Sequence, residues 1–102
     1  MTQDRSAAAK KFYFMGICGT AMGAVAAALQ ELGYEVSGSD ASVYPPMSEF
    51  LSERGIHILD GFQADHVPAD ADVIVVGNAM SRGNPEVERM LNLRLRYLSL
   101  PE

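Results

Sequence analysis

Short apolar blocks alternate with longer stretches of helical periodicity along the 102 residues. "KFYFMGI" at 11–17 is a compact apolar run that stops at a glycine, the pattern of a buried strand. Between Thr20 and Leu32, apolar residues return at Ala21, Ala24, Val25, Ala28, Leu29 and Leu32, and Gly33 supplies a helix stop. "YEVSGSD" (34–40) predicts a second strand that ends in small polar residues. A Pro-Pro turn then leads into a short helix from about Met47 to Arg54, terminated by Gly55. "HILDG" (57–61) predicts a weak third strand, "ADHVPADA" a loop, and "DVIVVGNA" (72–79) the clearest strand in the chain. Asn84-Pro85 has the form of a helix N-cap with proline in the first turn, and a last strand is predicted at about 96–99.

Strands that alternate with helices imply right-handed crossovers and a parallel sheet covered on both faces. The expected class is therefore α/β: a Rossmann-like parallel sheet of about five strands with helices on both faces. The length suits one small domain, expected over 11–102, with residues 1–10 as a disordered polar leader. No internal repeat or low-complexity tract interrupts it. With 48% apolar and 21% charged residues the composition is that of a globular protein.

Charge and cysteine content narrow the function classes. A net charge of −5 argues against an electrostatic grip on nucleic acid or an anionic membrane. It leaves room for one anionic ligand, because a local set of backbone N–H groups can oppose the global charge. Cys18 is the single cysteine, so no internal disulfide can form and a reducing compartment is favoured. No apolar stretch approaches the roughly 20 residues of a membrane span, and the N-terminus lacks the apolar core of a signal peptide. The expectation is a cytoplasmic protein.

The first candidate chemistry lies at "MGICGTAMG", where Gly16, Gly19 and Gly23 fall within eight residues. A strand that ends in a glycine turn and opens into a helix presents unpaired N–H groups and the positive end of the helix dipole. A diphosphate can accept those bonds if no side chain blocks it. The dinucleotide fingerprint G-x-G-x-x-G reads here as Gly16, Cys18 and Ala21, so two of its glycines are replaced by small residues. Thr20 could add a hydroxyl at the helix start or serve as a plain cap. The competing account is that Gly16 and Gly19 make a tight turn while Gly23 lets the helix pack closely against the sheet.

Asp40 lies 24 positions after Gly16, where an acidic residue at the second strand tip commonly meets a ribose or base. A turn or cap role is the alternative. Asn78 stands at the fourth strand tip beside the same crevice and could read a base or sugar, or hold the following loop. His57 and His66 are nine apart with no cysteine or carboxylate pair at ligand spacing, which makes a metal site improbable. Cys18 has no evident base partner and reads as a small filler in the turn.

The stretches "GICGTAMG", "GSDASVYPPMSEFLSERGI", "VIVVGNAMSRGNPEVE" and "YLSLPE" together resemble the N-terminal domain of the Mur ligases, over about residues 11 to 102. Within that family Cys18 and "GNAM" resemble the branch that attaches a whole tripeptide. The L-alanine-adding branch usually carries a GIGGAGM-type turn and a Ser-Ser-Ala tip. The resemblance implies a domain that holds the UDP end of UDP-N-acetylmuramate and takes no nicotinamide. It places Gly16, Ile17, Cys18, Gly19, Thr20, Ala21 and Met22 at the diphosphate, Ser39, Asp40 and Ala41 at the uridine, and Asn78 and Ala79 on the neighbouring strand tip. It also implies an ATP- and Mg-dependent ligase of peptidoglycan recycling, in which an acyl phosphate on the sugar's lactyl carboxylate is attacked by the peptide amine.

The family's ATP loop has no counterpart here, since no G-x-x-x-x-G-K-[ST] string occurs in these residues. The resemblance therefore implies one binding domain of a larger enzyme, silent on its own, with no catalytic or metal residue and the remaining ligase domains in cis. Three alternatives stay open: the same domain of the L-alanine-adding ligase, an NAD-binding domain of an oxidoreductase, and a free-standing module that senses a nucleotide sugar.

Overall fold

Lys11–Met15 (β1) runs through the centre of a sheet whose apolar residues face both ways, and this two-sided burial is what its unbroken apolar pattern demands. The computed structural model describes residues 10–77, 80 and 82–100. Among them, β1 is followed by α1 (Thr20–Glu31), β2 (Glu35–Asp40), α2 (Met47–Ser52) and β3 (His57–Asp60). A 3-10 turn (Ala64–His66), β4 (Val73–Gly77), α3 (Pro85–Asn92) and β5 (Tyr97–Leu100) complete the order. The strands lie in the order β3-β2-β1-β4-β5, and every neighbouring pair is parallel.

Each face of the sheet has its own core. Phe14, Val36 and Val75 turn toward α1 and α2, where they meet Ile17, Met22, Ala26, Leu51 and Ile56. Tyr13, Met15, Ile74 and Val76 turn the other way, against Val67, Ala71 and the α3 residues Val87 and Met90. The alternation along β1 and β4 thus supplies both layers from the same strands.

The element order agrees with the sequence reading, and the ends differ by a few residues. The second helix stops at Ser52, and Gly55 follows with φ +80. The 3-10 turn inside "ADHVPADA" has no periodicity to announce it. Asn84 caps α3 through its side-chain oxygen, which accepts from the N–H groups of Glu86 and Val87. The leader expected over 1–10 falls, except for Lys10, outside the described residues; the Lys10 carbonyl accepts from Glu35 N–H at 3.0 Å.

Candidate functional site

In this strand order the chain reverses direction of travel between β1 and β4, so the crossovers leave the sheet on opposite sides there. A crevice opens at such a switch point beyond the carboxyl ends of the strands. A cleft of about 540 Å³ occupies that position. It is walled by Gly16, Cys18, Gly19 and Thr20 after β1, by Asp40, Ala41 and Ser42 after β2, and by Gly77 and Met80 after β4. Tyr44, Pro45, Pro46, Met47 and Phe62 close its outer side.

The glycine turn is held from beneath by β2. Gly16 takes φ +87, a conformation that a side chain would strain. Its N–H and that of Ile17 both donate to the Ser39 carbonyl, at 2.8 and 3.0 Å. Gly19 N–H closes the turn onto the Gly16 carbonyl at 3.2 Å. Cys18 N–H donates to Asp40 Oδ2 and Ser42 N–H to Asp40 Oδ1, each at 2.9 Å. One carboxyl group therefore braces the turn against the loop after β2.

The helix that follows begins open. Its N-cap is Gly19, which has no side chain to cap with, and its first turn holds no acidic residue. The first bond along α1 runs from Gly23 N–H to the Gly19 carbonyl at 2.7 Å. The N–H groups of Thr20, Ala21 and Met22 thus precede any intrahelical partner, at the positive end of the helix dipole and beside the cleft. No lysine or arginine lines the cleft among the described residues, so an anion there would depend on backbone donors.

The expected residues divide into four groups. Gly16, Cys18, Gly19, Thr20, Asp40 and Ala41 line the cleft. Ile17 and Met22 are fully buried in the α1 face of the core, and Ser39 is fully buried on the opposite face, and none of the three lines the cleft. Ala21 follows in the first turn of α1, outside the lining. Asn78 and Ala79 lie outside the described residues. Asp40, expected at a ribose or base, already accepts one backbone bond on each oxygen. Gly23 abuts the second helix rather than the sheet: a Cβ there would meet Met47 Sδ at 2.6 Å.

The aromatic wall of Tyr44 and Phe62 was not legible in the residue pattern. Tyr44 belongs to the "YPPM" turn next to Asp40, a usable signal, whereas Phe62 arrives from beyond β3 with none. Burial holds the Cys18 thiol up at about 11, which keeps it protonated and a poor nucleophile. No group of three or more His, Cys, Asp or Glu could hold a metal ion among the described residues. Nor is any helix among them long and apolar enough to cross a membrane.

Known proteins resemble this chain in sequence and fold. The family profile described as "Mur ligase family, catalytic domain" matches residues 11–102. The UDP-N-acetylmuramate–L-alanyl-γ-D-glutamyl-meso-2,6-diaminoheptandioate ligase of Escherichia coli K12 is 46% identical over 92 residues, which are 90% of this chain and 20% of that protein. The crystal structure of a murein peptide ligase from Psychrobacter arcticus 273-4 superposes with a TM-score of 0.83 at 45% identity, over 87% of this chain and 18% of that one. The UDP-N-acetylmuramate–alanine ligase of Thermotoga maritima gives a TM-score of 0.81 at 30% identity, over 87% of this chain and 20% of its own. This chain thus spans about a fifth of the length of the relatives it matches. With the family profile running through nearly every residue, and the glycine turn and switch-point cleft in place, the chain belongs to the Mur ligase family.

Proposed function

We propose that residues 11–102 form the domain that holds the UDP end of UDP-N-acetylmuramate in an ATP-dependent ligase of peptidoglycan recycling. The acceptor in this reading is the tripeptide L-alanyl-γ-D-glutamyl-meso-diaminopimelate. The observation that carries the proposal is the uncapped N-terminus of α1 at the glycine turn, opening on a cleft at the switch point of the sheet. A diphosphate accepts hydrogen bonds from the first N–H groups of α1. The nucleoside then extends along Asp40, Ala41 and Ser42 toward Tyr44 and Phe62, whose rings offer flat apolar surface to a base. Ile17, Met22 and Ser39 support this surface from beneath, and Asn78 and Ala79 are assigned to the same nucleotide end.

The domain's contribution to catalysis is positioning: it fixes one end of the substrate so that the reacting carboxylate is delivered in a defined place. ATP and magnesium do not fit the residues described. The chain's two lysines, Lys10 and Lys11, stand at the start of β1, away from the glycine turn, and no metal-holding cluster exists among the described residues. The proposal assigns both to other domains of the same ligase, joined in cis, and expects residues 11–102 alone to be catalytically silent. A cytoplasmic location goes with it, supported by the single unpaired cysteine.

The tripeptide as acceptor is supported by the higher identity to ligases named for it, 46% and 48%, against 39% and 43% for L-alanine ligases. Backbone amide NMR of the chain titrated with UDP-N-acetylmuramate and separately with NAD tests the binding role. Shifts with the sugar nucleotide alone, centred on Gly16–Met22 and Asp40–Ser42, are the expected result. Shifts with NAD alone, or none with the sugar nucleotide, would overturn the UDP-binding role.

A further inference from the structure

Glu86 is fully buried, and its carboxyl group is surrounded by polar partners from three segments of the chain. Oε1 accepts from the Tyr13 hydroxyl of β1 at 3.0 Å and from the Ser39 hydroxyl of β2 at 2.6 Å. Oε2 accepts from Gln63 N–H at 3.1 Å and lies 3.1 Å from His66 Nδ1 in the 3-10 turn. Burial raises the Tyr13 phenol far above its ordinary range, so it remains a donor. An apolar side chain of similar size would fill the same space, but its contacts would be non-directional. Hydrogen bonds to a buried carboxyl group fix distances, and in a low-dielectric interior each broken one leaves a donor unpaired.

None of these five residues lines the cleft, yet the segments of Ser39, Gln63 and Glu86 lead to its walls. The Ser39 carbonyl receives the N–H groups of Gly16 and Ile17, and the next residue is Asp40, which holds Cys18 N–H. Gln63 follows Phe62 of the outer wall. Glu86 itself is seated by the Asn84 cap, whose amide reaches back to Met80 Sδ at 3.8 Å. We infer that Glu86 is a positioning residue for the cleft. By fastening Ser39 and Gln63 to the first turn of α3, it sets the glycine turn and the Phe62 wall at a fixed separation and so controls affinity for the nucleotide. The inference rests on the reading of the cleft as a sugar-nucleotide site.

Paired variants separate this role from simple packing. Ser39→Thr and Ser39→Val add the same bulk and differ in the hydroxyl that reaches Glu86; Glu86→Gln keeps the shape of the acid and replaces one of its two acceptor oxygens with an amide that donates, so the donors facing that position lose their acceptor. Each is made in the 102-residue chain, its melting temperature is measured, and its affinity for UDP is determined by amide NMR. In folded protein, the valine variant is expected to bind UDP roughly tenfold more weakly than the threonine variant, and Glu86→Gln to lose at least as much. Its ligand-free spectrum should also shift at Gly16, Ile17 and Gln63. Equal UDP affinity across the folded variants would overturn the positioning role. If the unmodified chain does not bind UDP, the sugar-nucleotide reading fails first, and the ligand-free amides decide the rest. Unmoved Gly16 and Ile17 in Glu86→Gln would then show that Glu86 does not act on the turn. Should the Ser39→Thr and Ser39→Val pair not fold, Ser39→Ala removes the same hydroxyl without added bulk and is judged by the same two readouts.

Discussion

Cys18 sits between Gly16 and Gly19 in the turn, half-buried, with its N–H donating to Asp40 Oδ2 at 2.9 Å. Burial is the larger cause and the Asp40 charge the second in raising its thiol to about 11. Because only the thiolate reacts with alkylating agents, roughly a thousandth of the thiol is reactive at pH 8. Iodoacetamide modification of the folded chain is therefore expected to be slow at neutral pH and to accelerate tenfold per pH unit up to about 11. A rate that levels off near pH 8.5 would show that the thiol is neither buried nor beside a negative group. Its place in the turn was legible from the glycine pattern. The roles of Ser39 and Asp40 were not: "GSD" marks a strand tip, but whether a hydroxyl faces ligand or a buried acid depends on which layer lies beneath it.

At the scale of elements, β2 shows why spacing decides what composition leaves open. Alternation turns Ser37 and Ser39 to the α3 side and Val36 and Gly38 to the α1 side, and Gly38 pairs with Phe14 in β1. A Cβ at Gly38 would lie 2.6 Å from the Phe14 carbonyl oxygen and 2.8 Å from Ile17 Cδ1. The first of these is backbone and cannot swing away. Gly38→Ala is thus expected to destabilise the chain by about 2 kcal/mol through overpacking, read as a lowered urea midpoint. An unchanged midpoint would mean that β2 can slide outward from β1, contrary to the register described. The elements themselves were readable because each carries its own local signal: an apolar run, a helical spacing, a capping Asn84, a terminating Gly33 or Gly55. The 3-10 turn lacks such a signal and is held by the docking of Val67 in the α3-side core and of His66 against Glu86.

For the whole molecule, the paired surface charges set a pH dependence. Asp70 is lowered by its hydrogen bond with Lys11 at 2.8 Å, and Glu88 by its bond with Arg82 at 2.9 Å and by Gly83 N–H. Carboxyl groups with depressed values in the folded state favour folding above their unfolded values of 3.8 and 4.5. That contribution fades as pH falls through the folded values, because the unfolded chain takes up protons first. The urea midpoint is expected to be steady from pH 7 to 5 and to drop below about pH 4, modestly, since these pairs are exposed. A midpoint that rises on acidification would show that repulsion within the net charge of −5 outweighs the pairs. Lys11 and Arg82 are raised by the same contacts, so their contribution is present at neutral pH and is lost only on the far alkaline side.

The sequence by itself determined the alternating strand and helix order, the glycine turn at the first crossover and the family to which the chain belongs, since all of these reside in local spacing and in contiguous motifs. Only the tertiary structure decided what those motifs touch. The order β3-β2-β1-β4-β5 brings strand tips that are far apart in the chain to one edge, and with them Tyr44, Phe62 and Met80 to one cleft. It also buries Glu86 against Tyr13, 73 residues away in the chain, and Ser39, 47 away, converting an ordinary first-turn acid of a helix into a common anchor for two walls. Periodicity records the face on which a residue lies, whereas the partner it meets there depends on how separate elements stack, and no local pattern encodes that.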